Sequence, residues 1–219
     1  MRERFMQQLE KLKMEIRHMG ELIQTAIEGT VIALHSLDKE KAKEIIQSDE
    51  VIDQMEKEIE SDCLHILLQQ TPVASDLRQI SGALKMITDL ERIGDHASDI
   101  SEMILILDSV RCEKIRDYLE QMAKITSKMV IDSIDAYVKM DLELAKSVIA
   151  SDDHVDQLFL STKEAIADEM NTGEEEDGMQ ALDLLMIAKY FERIGDHAEN
   201  VGEWVVFAIT GEHKDERVI

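Results

Sequence analysis

Aromatic residues are scarce in this chain, at 4 %, and Pro72 is its only proline. A sheet protein draws on aromatic and β-branched residues and punctuates its turns with proline and glycine, so both shortages argue against β-structure. Cysteine is limited to Cys63 and Cys112, which are far apart and form no C-x-x-C pair. That excludes a disulfide framework and a thiolate zinc site. No run of about 18 apolar residues is present, so no segment is expected to span a membrane. The opening MRERFMQQLE has no apolar core of the kind a secretory leader needs. Basic residues are outnumbered as well. Lys and Arg total 24 against 47 Asp and Glu, so the formal charge is 24 − 47 = −23. Phosphodiester backbones and anionic membranes repel such a chain, which leaves cations and basic protein surfaces as attractors. A cytoplasmic protein without nucleic-acid contacts or membrane insertion is expected.

What is abundant is helix-forming sequence that repeats itself. SLDKEKAKEIIQSDEVIDQM (36–55) aligns with KMDLELAKSVIASDDHVDQL (139–158) at an offset of 103, and ERIGDHASDI (91–100) with ERIGDHAENV (192–201) at 101. Two copies are too few, and the period too long, for a solenoid. The chain therefore divides into residues 1–108 and 109–219. Each half reads as three helical stretches: 3–36, 39–69 and 75–107, then 110–139, 142–170 and 178–209. Asp38 and Asp141 occupy N-cap positions, Thr71-Pro72 marks a stop, and the tail GEHKDERVI is expected to fray. Ala83, Met86, Leu90, Ile93, Ala97, Ile100, Ile104 and Leu107 recur at steps of three and four. Leu184, Ile187, Phe191, Ile194, Ala198, Val201, Val205 and Ala208 repeat the pattern. Such spacing belongs to long bundle helices. The expected fold is all-α, with two tandem pseudo-symmetric three-helix bundles of antiparallel helices.

The acidic residues fall in register. Glu91 and Asp95 are four apart and share a helix face. So do Asp49 and Asp53, and in the second half Asp152 and Asp156, and Glu192 and Asp196. Folding a hairpin brings together residues equidistant from its turn. The pairs 53/91 and 49/95 are both centred on 72, and the pairs 156/192 and 152/196 on 174. Asp53 should then face Glu91, and Asp49 should face Asp95, with the copy likewise, about 27 Å from each turn. Facing carboxylates repel by about 1 kcal/mol in water and roughly 4 at a protein surface. A hard cation such as Mg²⁺, Ca²⁺, Mn²⁺ or iron would offset this. Arg92 and Arg193 are alternative neutralising partners. His96 and His197 are expected to flank a helix contact, and mid-helix Gly94 and Gly195 to allow close helix approach. The match of Asp99 with Asn200 makes any ligand role there asymmetric. The 13 methionines are read as core filler.

Two tandem repeats, each with acidic-x-x-x-Asp motifs on consecutive helices and an ERIGDHA segment, resemble the PhoU family over nearly the whole chain. The resemblance implies two three-helix bundles side by side, often as a homodimer. It also implies multinuclear metal clusters, with iron or zinc in relatives, on Asp49, Asp53, Glu91, Asp95, Asp152, Asp156, Glu192 and Asp196. The implied role is negative regulation of phosphate uptake and of the phosphate regulon. Such proteins link the ATPase subunit of a phosphate ABC transporter to a sensor histidine kinase. No nucleophile–base pair and no G-x-x-x-x-G-K loop is present, so an enzyme is not expected. Two other readings stay open. One is a metal-free helical adaptor. The other is a carboxylate-bridged di-metal enzyme, for which the sole Glu-x-x-His is Glu15/His18.

Overall fold

The protein is described by a computed structural model that covers residues 2–69, 72–110, 112–172, 177–214 and 216–217. Six long helices make up the fold: α1 (Arg2–Ser36), α2 (Lys39–Gln69), α3 (Ala74–Ile106), α4 (Glu113–Lys139), α5 (Leu142–Thr172) and α6 (Asp177–Thr210). Five of them begin within one residue of the sequence expectation. The exception is α4, which starts three residues late because Val110 is drawn into the core instead, at 5 % exposure. Residue 174, the centre of the second hairpin, lies outside the described residues.

The α1–α2 and α4–α5 corners are built alike. Leu37 and Met140 each take the left-handed conformation, with φ of 51° and 53°. This lets the amide of Asp38 reach back to Ala33 O, and that of Asp141 to Ala136 O, each at 2.9 Å. Both are Schellman closures made without glycine. The same two aspartates then cap the next helix. Asp38 Oδ1 accepts from the Glu40 and Lys41 amides at 3.1 and 3.0 Å, and Asp141 Oδ1 from the Leu144 amide at 3.1 Å.

All sixteen residues of the two heptad stripes are buried. All but Leu107, which follows the last turn of α3, lie on α3 and α6, and these helices pack along one another at the centre of the molecule. Helix α2 covers the flank of α3, and α5 covers the flank of α6. Helices α1 and α4 also meet, so one continuous apolar core runs through both repeats. Fully buried Tyr137 of α4 ties the repeats together by donating its hydroxyl to Gln79 O of α3 at 3.0 Å. Buried Thr30, Ser101, Thr126, Ser133 and Thr162 satisfy their hydroxyls on carbonyls of the preceding turn, the usual way a helix hides such groups. Cys63 is buried and Cys112 partly so, and both are free thiols. Among the described residues, no helix is long and apolar enough to cross a membrane.

The tail departs from expectation. Instead of fraying, it forms a short antiparallel hairpin, β1 (Glu212–His213) with β2 (Glu216–Arg217). The His213 ring stacks on Trp204 of α6 with centroids 3.9 Å apart. Lys214 Nζ donates to Asn200 Oδ1 at 3.3 Å. These tertiary contacts hold a segment whose local sequence has no strand propensity of its own.

Candidate metal centre

In the first half, Asp49, Asp53 and Asp95 each bring a carboxylate oxygen within 4.8 Å of the others. Asp49 and Asp53 come from one face of α2, and Asp95 from the facing turn of α3. Close helix approach makes this possible. A Cβ on Gly94 would lie 3.2 Å from Asp49 Oδ1 and 3.1 Å from Ile52 Cδ1, tighter than ordinary contact, so a side chain there would press on both. The cluster is consequently half-buried in the α2–α3 groove, deeper than the solvent-facing site that helix geometry alone suggests. Asp49 Oδ1 and Asp53 Oδ1 are both buried and have no hydrogen-bond partner. An orphaned buried carboxylate oxygen is costly. Burial, then Asp95, Asp53 and Glu91, pushes the Asp49 carboxyl up to about 7.

Glu91 lies beside this trio without joining it. Burial first, and then Asp95, raises its pKa, while Arg92 opposes the rise. Arg92 Nε sits 3.5 Å from Glu91 Oε2, and its Nη1 2.8 Å from Asp95 Oδ2. The expected role of Arg92 as an internal neutraliser is therefore realised in part. It engages Asp95 Oδ2 and approaches Glu91, but it does not reach the buried oxygens of Asp49 and Asp53, which lack a hydrogen-bond partner.

The second half repeats the layout with weaker convergence. Asp152 is the counterpart of Asp49. Its Oδ1 is buried without a partner, and burial followed by Glu199, Asp196, Asp156 and Glu192 pushes its carboxyl up to about 7. Gly195 again permits the approach, since a Cβ there would fall 2.6 Å from Asp152 Oδ1. Asp156 and Asp196, however, are exposed, and among the described residues no trio like that of the first half converges here. Glu192 is engaged by Lys189 of its own helix. Arg193, the counterpart of Arg92, acts instead near the α3–α6 seam: it adds to the lowering of the His96 pKa that burial causes, and it opposes the rise that burial causes at Tyr190.

Two acidic neighbours escaped the motif search. Glu56 follows Asp53 by three residues, and burial followed by Glu60 raises its pKa. Glu199 follows Asp196 by three. Extending each acidic face by one more helical turn would have found them. Asp99, already matched with Asn200 in the sequence, follows Asp95 by four.

The donor set suits a hard cation: all oxygen, half-buried, with buried oxygens that lack a hydrogen-bond partner. Asp49, Asp53 and Asp95, with Glu91 adjacent, are the residues that would hold a metal in the first half. Asp152, Asp156, Glu192 and Asp196 are the corresponding candidates in the second. The inward arrangement of a bundle-core di-iron oxidase is not built at the Glu-x-x-His pair. Glu15 is paired with Lys11 at 3.0 Å, and His18 is 62 % exposed.

His96 and His197 meet at the α3–α6 seam, as their spacing suggests, with ring centroids 5.5 Å apart. His96 Nδ1 is 3.1 Å from Asp99 Oδ2, and His197 Nδ1 is 2.9 Å from Asp89 Oδ1 on the opposite repeat. Each ring is therefore paired with an aspartate outside the predicted ligand set.

Known proteins match this architecture over nearly its full length. A phosphate-specific transport system accessory protein PhoU homolog of Clostridium acetobutylicum is 37 % identical over 214 residues, covering 96 % of each chain. The phosphate-specific transport system accessory protein PhoU of Escherichia coli is 31 % identical over 211 residues, covering 95 % of this chain and 86 % of its own. The crystal structure of PhoU from Pseudomonas aeruginosa superposes with a TM-score of 0.87 at 30 % identity, covering 95 % of this chain and 100 % of that one. A family model described as the PhoU domain matches twice, over residues 16–104 and 119–205. Each match falls on one of the two copies marked by ERIGDHA, and the chain belongs to the PhoU family.

Proposed function

We propose that this protein is a metal-binding regulator of phosphate homeostasis. In this reading it restrains phosphate uptake and phosphate-regulon signalling. It does so by linking the ATPase subunit of a phosphate ABC transporter to a phosphate-sensing histidine kinase. Relatives sharing 30–37 % of its residues over most of the chain are named as accessory proteins of phosphate-specific transport. A protein of net charge −23 is suited to basic surfaces on cytoplasmic partners and unsuited to direct membrane contact. A homodimer belongs to the same reading. The protein acts by docking, without catalysis of its own.

The observation that carries metal binding is the convergence of Asp49, Asp53 and Asp95 around two buried, unpartnered oxygens. Iron, zinc, manganese or magnesium would each supply the missing positive charge there, singly or as a cluster. Such an ion would lock α2 to α3 and fix the groove as a rigid docking surface. The residues themselves accept the ion, exclude water at the groove floor and hold the helix spacing through Gly94.

The test is a deletion strain carrying an alkaline phosphatase reporter of the phosphate regulon, grown in abundant phosphate. Loss of the protein should leave the reporter switched on. Wild type should silence it again, and an Asp49→Ala/Asp53→Ala/Asp95→Ala variant should not. A reporter indifferent to the deletion would refute the regulatory role. Full silencing by the triple variant would separate that role from metal.

A further inference from the structure

The two carboxylate clusters sit at equivalent places in the repeats, yet three of the residues around them differ in the same direction. Glu56 beside Asp53 is replaced by Phe159 in the second half. Asp99, whose charge acts on Asp49, is replaced by Asn200. Thr88, exposed one turn before Glu91, is replaced by Lys189. Each change removes a negative charge or adds a positive one. Two changes run the other way: exposed Lys57, next to Glu56, becomes Leu160, and Ser98 becomes Glu199, which is attended by Lys214 of the C-terminal hairpin.

Lys189 is held in place from two sides. Its ammonium engages both oxygens of Glu192. It also lies 5.4 Å from the centroid of Phe159, the residue that stands where the first half has Glu56. The side chain of Glu192 is only 13 % exposed, so this pairing is sheltered. In the first half the basic side chain paired with the cluster's predicted ligands, Arg92, is 54 % exposed and engages the outer edge.

We propose that the clusters are a graded pair. The first half is the high-affinity cation site, and Lys189 acts as a built-in counter-ion that lowers the affinity of the second. A divalent ion arriving at the second half must displace the ammonium from Glu192 and act against its charge. At the first half it meets oxygens that already converge and lack partners. The protein therefore loads in two steps, and the second half responds to cation concentrations at which the first is already full. This inference rests on the metal-binding reading above and adds an order to it.

Calorimetric titration of the chelator-stripped full chain with Mn²⁺, with bound ion counted independently by electron paramagnetic resonance, tests it. Wild type should show two resolved classes of site, and Asp53→Asn should remove the tighter one. Lys189→Thr, which installs the residue of the first half, should tighten the weaker class on the order of tenfold, the scale of one unit charge acting on a divalent ion at a screened surface. Thr88→Lys, at an exposed position, should weaken the tighter class. Equal affinity in both halves, or two classes left unmoved by Lys189→Thr and Thr88→Lys, would overturn the gradation while leaving metal binding intact. No Mn²⁺ uptake at all would overturn both.

Discussion

Gly94 of α3 and Asp49 of α2 are in such close apposition that a single added methyl at Gly94 would stand 3.2 Å from the Asp49 carboxylate. The copy is tighter still, at 2.6 Å between a Cβ on Gly195 and Asp152 Oδ1. Both glycines are mid-helix, where alanine is favoured by about 1 kcal/mol, so the packing must outweigh propensity. Gly195→Ala should be net destabilising by about 1–2 kcal/mol in urea unfolding, the overpacking penalty less the propensity gain. It should also displace Asp152 and weaken Mn²⁺ uptake by the second half. A stabilised Gly195→Ala with unchanged uptake would show that the approach is not constrained there.

Acidity of the grooves makes a prediction about pH. Asp49 and Asp152 are each raised from an ordinary 3.8 to about 7 by burial first and neighbouring carboxylates second. A carboxyl raised in the folded state stabilises fully below its unfolded pKa, and that contribution is lost as pH climbs through the folded value. Metal-free protein should therefore lose stability between about pH 4 and pH 7 at these two sites. His96, lowered by burial, works in the opposite sense. The comparison must accordingly be made against Asp49→Asn/Asp152→Asn, which should show a flatter fall. Urea midpoints in chelator at pH 5 and pH 8 measure it. Parallel curves for the two proteins would contradict the assignment.

The matched corners separate backbone strain from capping. Met140 adopts φ 53° without being glycine, so Met140→Gly should stabilise by about 1 kcal/mol. Asp141→Ala removes the hydrogen bond to the Leu144 amide and should destabilise by about 1 kcal/mol. Thermal unfolding of the two variants should shift in opposite directions.

Removing Glu91 and Asp95 together should abolish metal uptake in the first half. Helical circular dichroism should stay near that of wild type, because both side chains lie outside the buried stripe of α3. Metal analysis of Glu91→Ala/Asp95→Ala against wild type checks this. Unchanged stoichiometry would move the site elsewhere.

Helix boundaries, caps and the buried stripes could be read from periodicity because each depends on residues within a turn or two of one another. The meeting of Asp49 and Asp53 with Asp95 was also legible, since an antiparallel hairpin converts sequence distance from Pro72 into spatial register. Glu91 has the same register as its partners yet stands aside, near Arg92 at 3.5 Å, and spacing carries no information about rotamers. The His213–Trp204 stack was hidden for a different reason. It joins a short polar tail to a helix face through tertiary packing alone. The differing surroundings of the two clusters are visible in the aligned residues at Thr88 and Lys189. Their meaning depends on Glu192 being sheltered, which only the packed structure reveals.

Crystals grown with Mn²⁺ and measured for anomalous scattering give the most direct test of the central claim that the α2–α3 groove is a cation site. The account predicts a strong peak bounded by the Asp49, Asp53 and Asp95 carboxylates, with any peak in the second half weaker at limiting metal. A map with no anomalous density between those three side chains at saturating Mn²⁺ would contradict it.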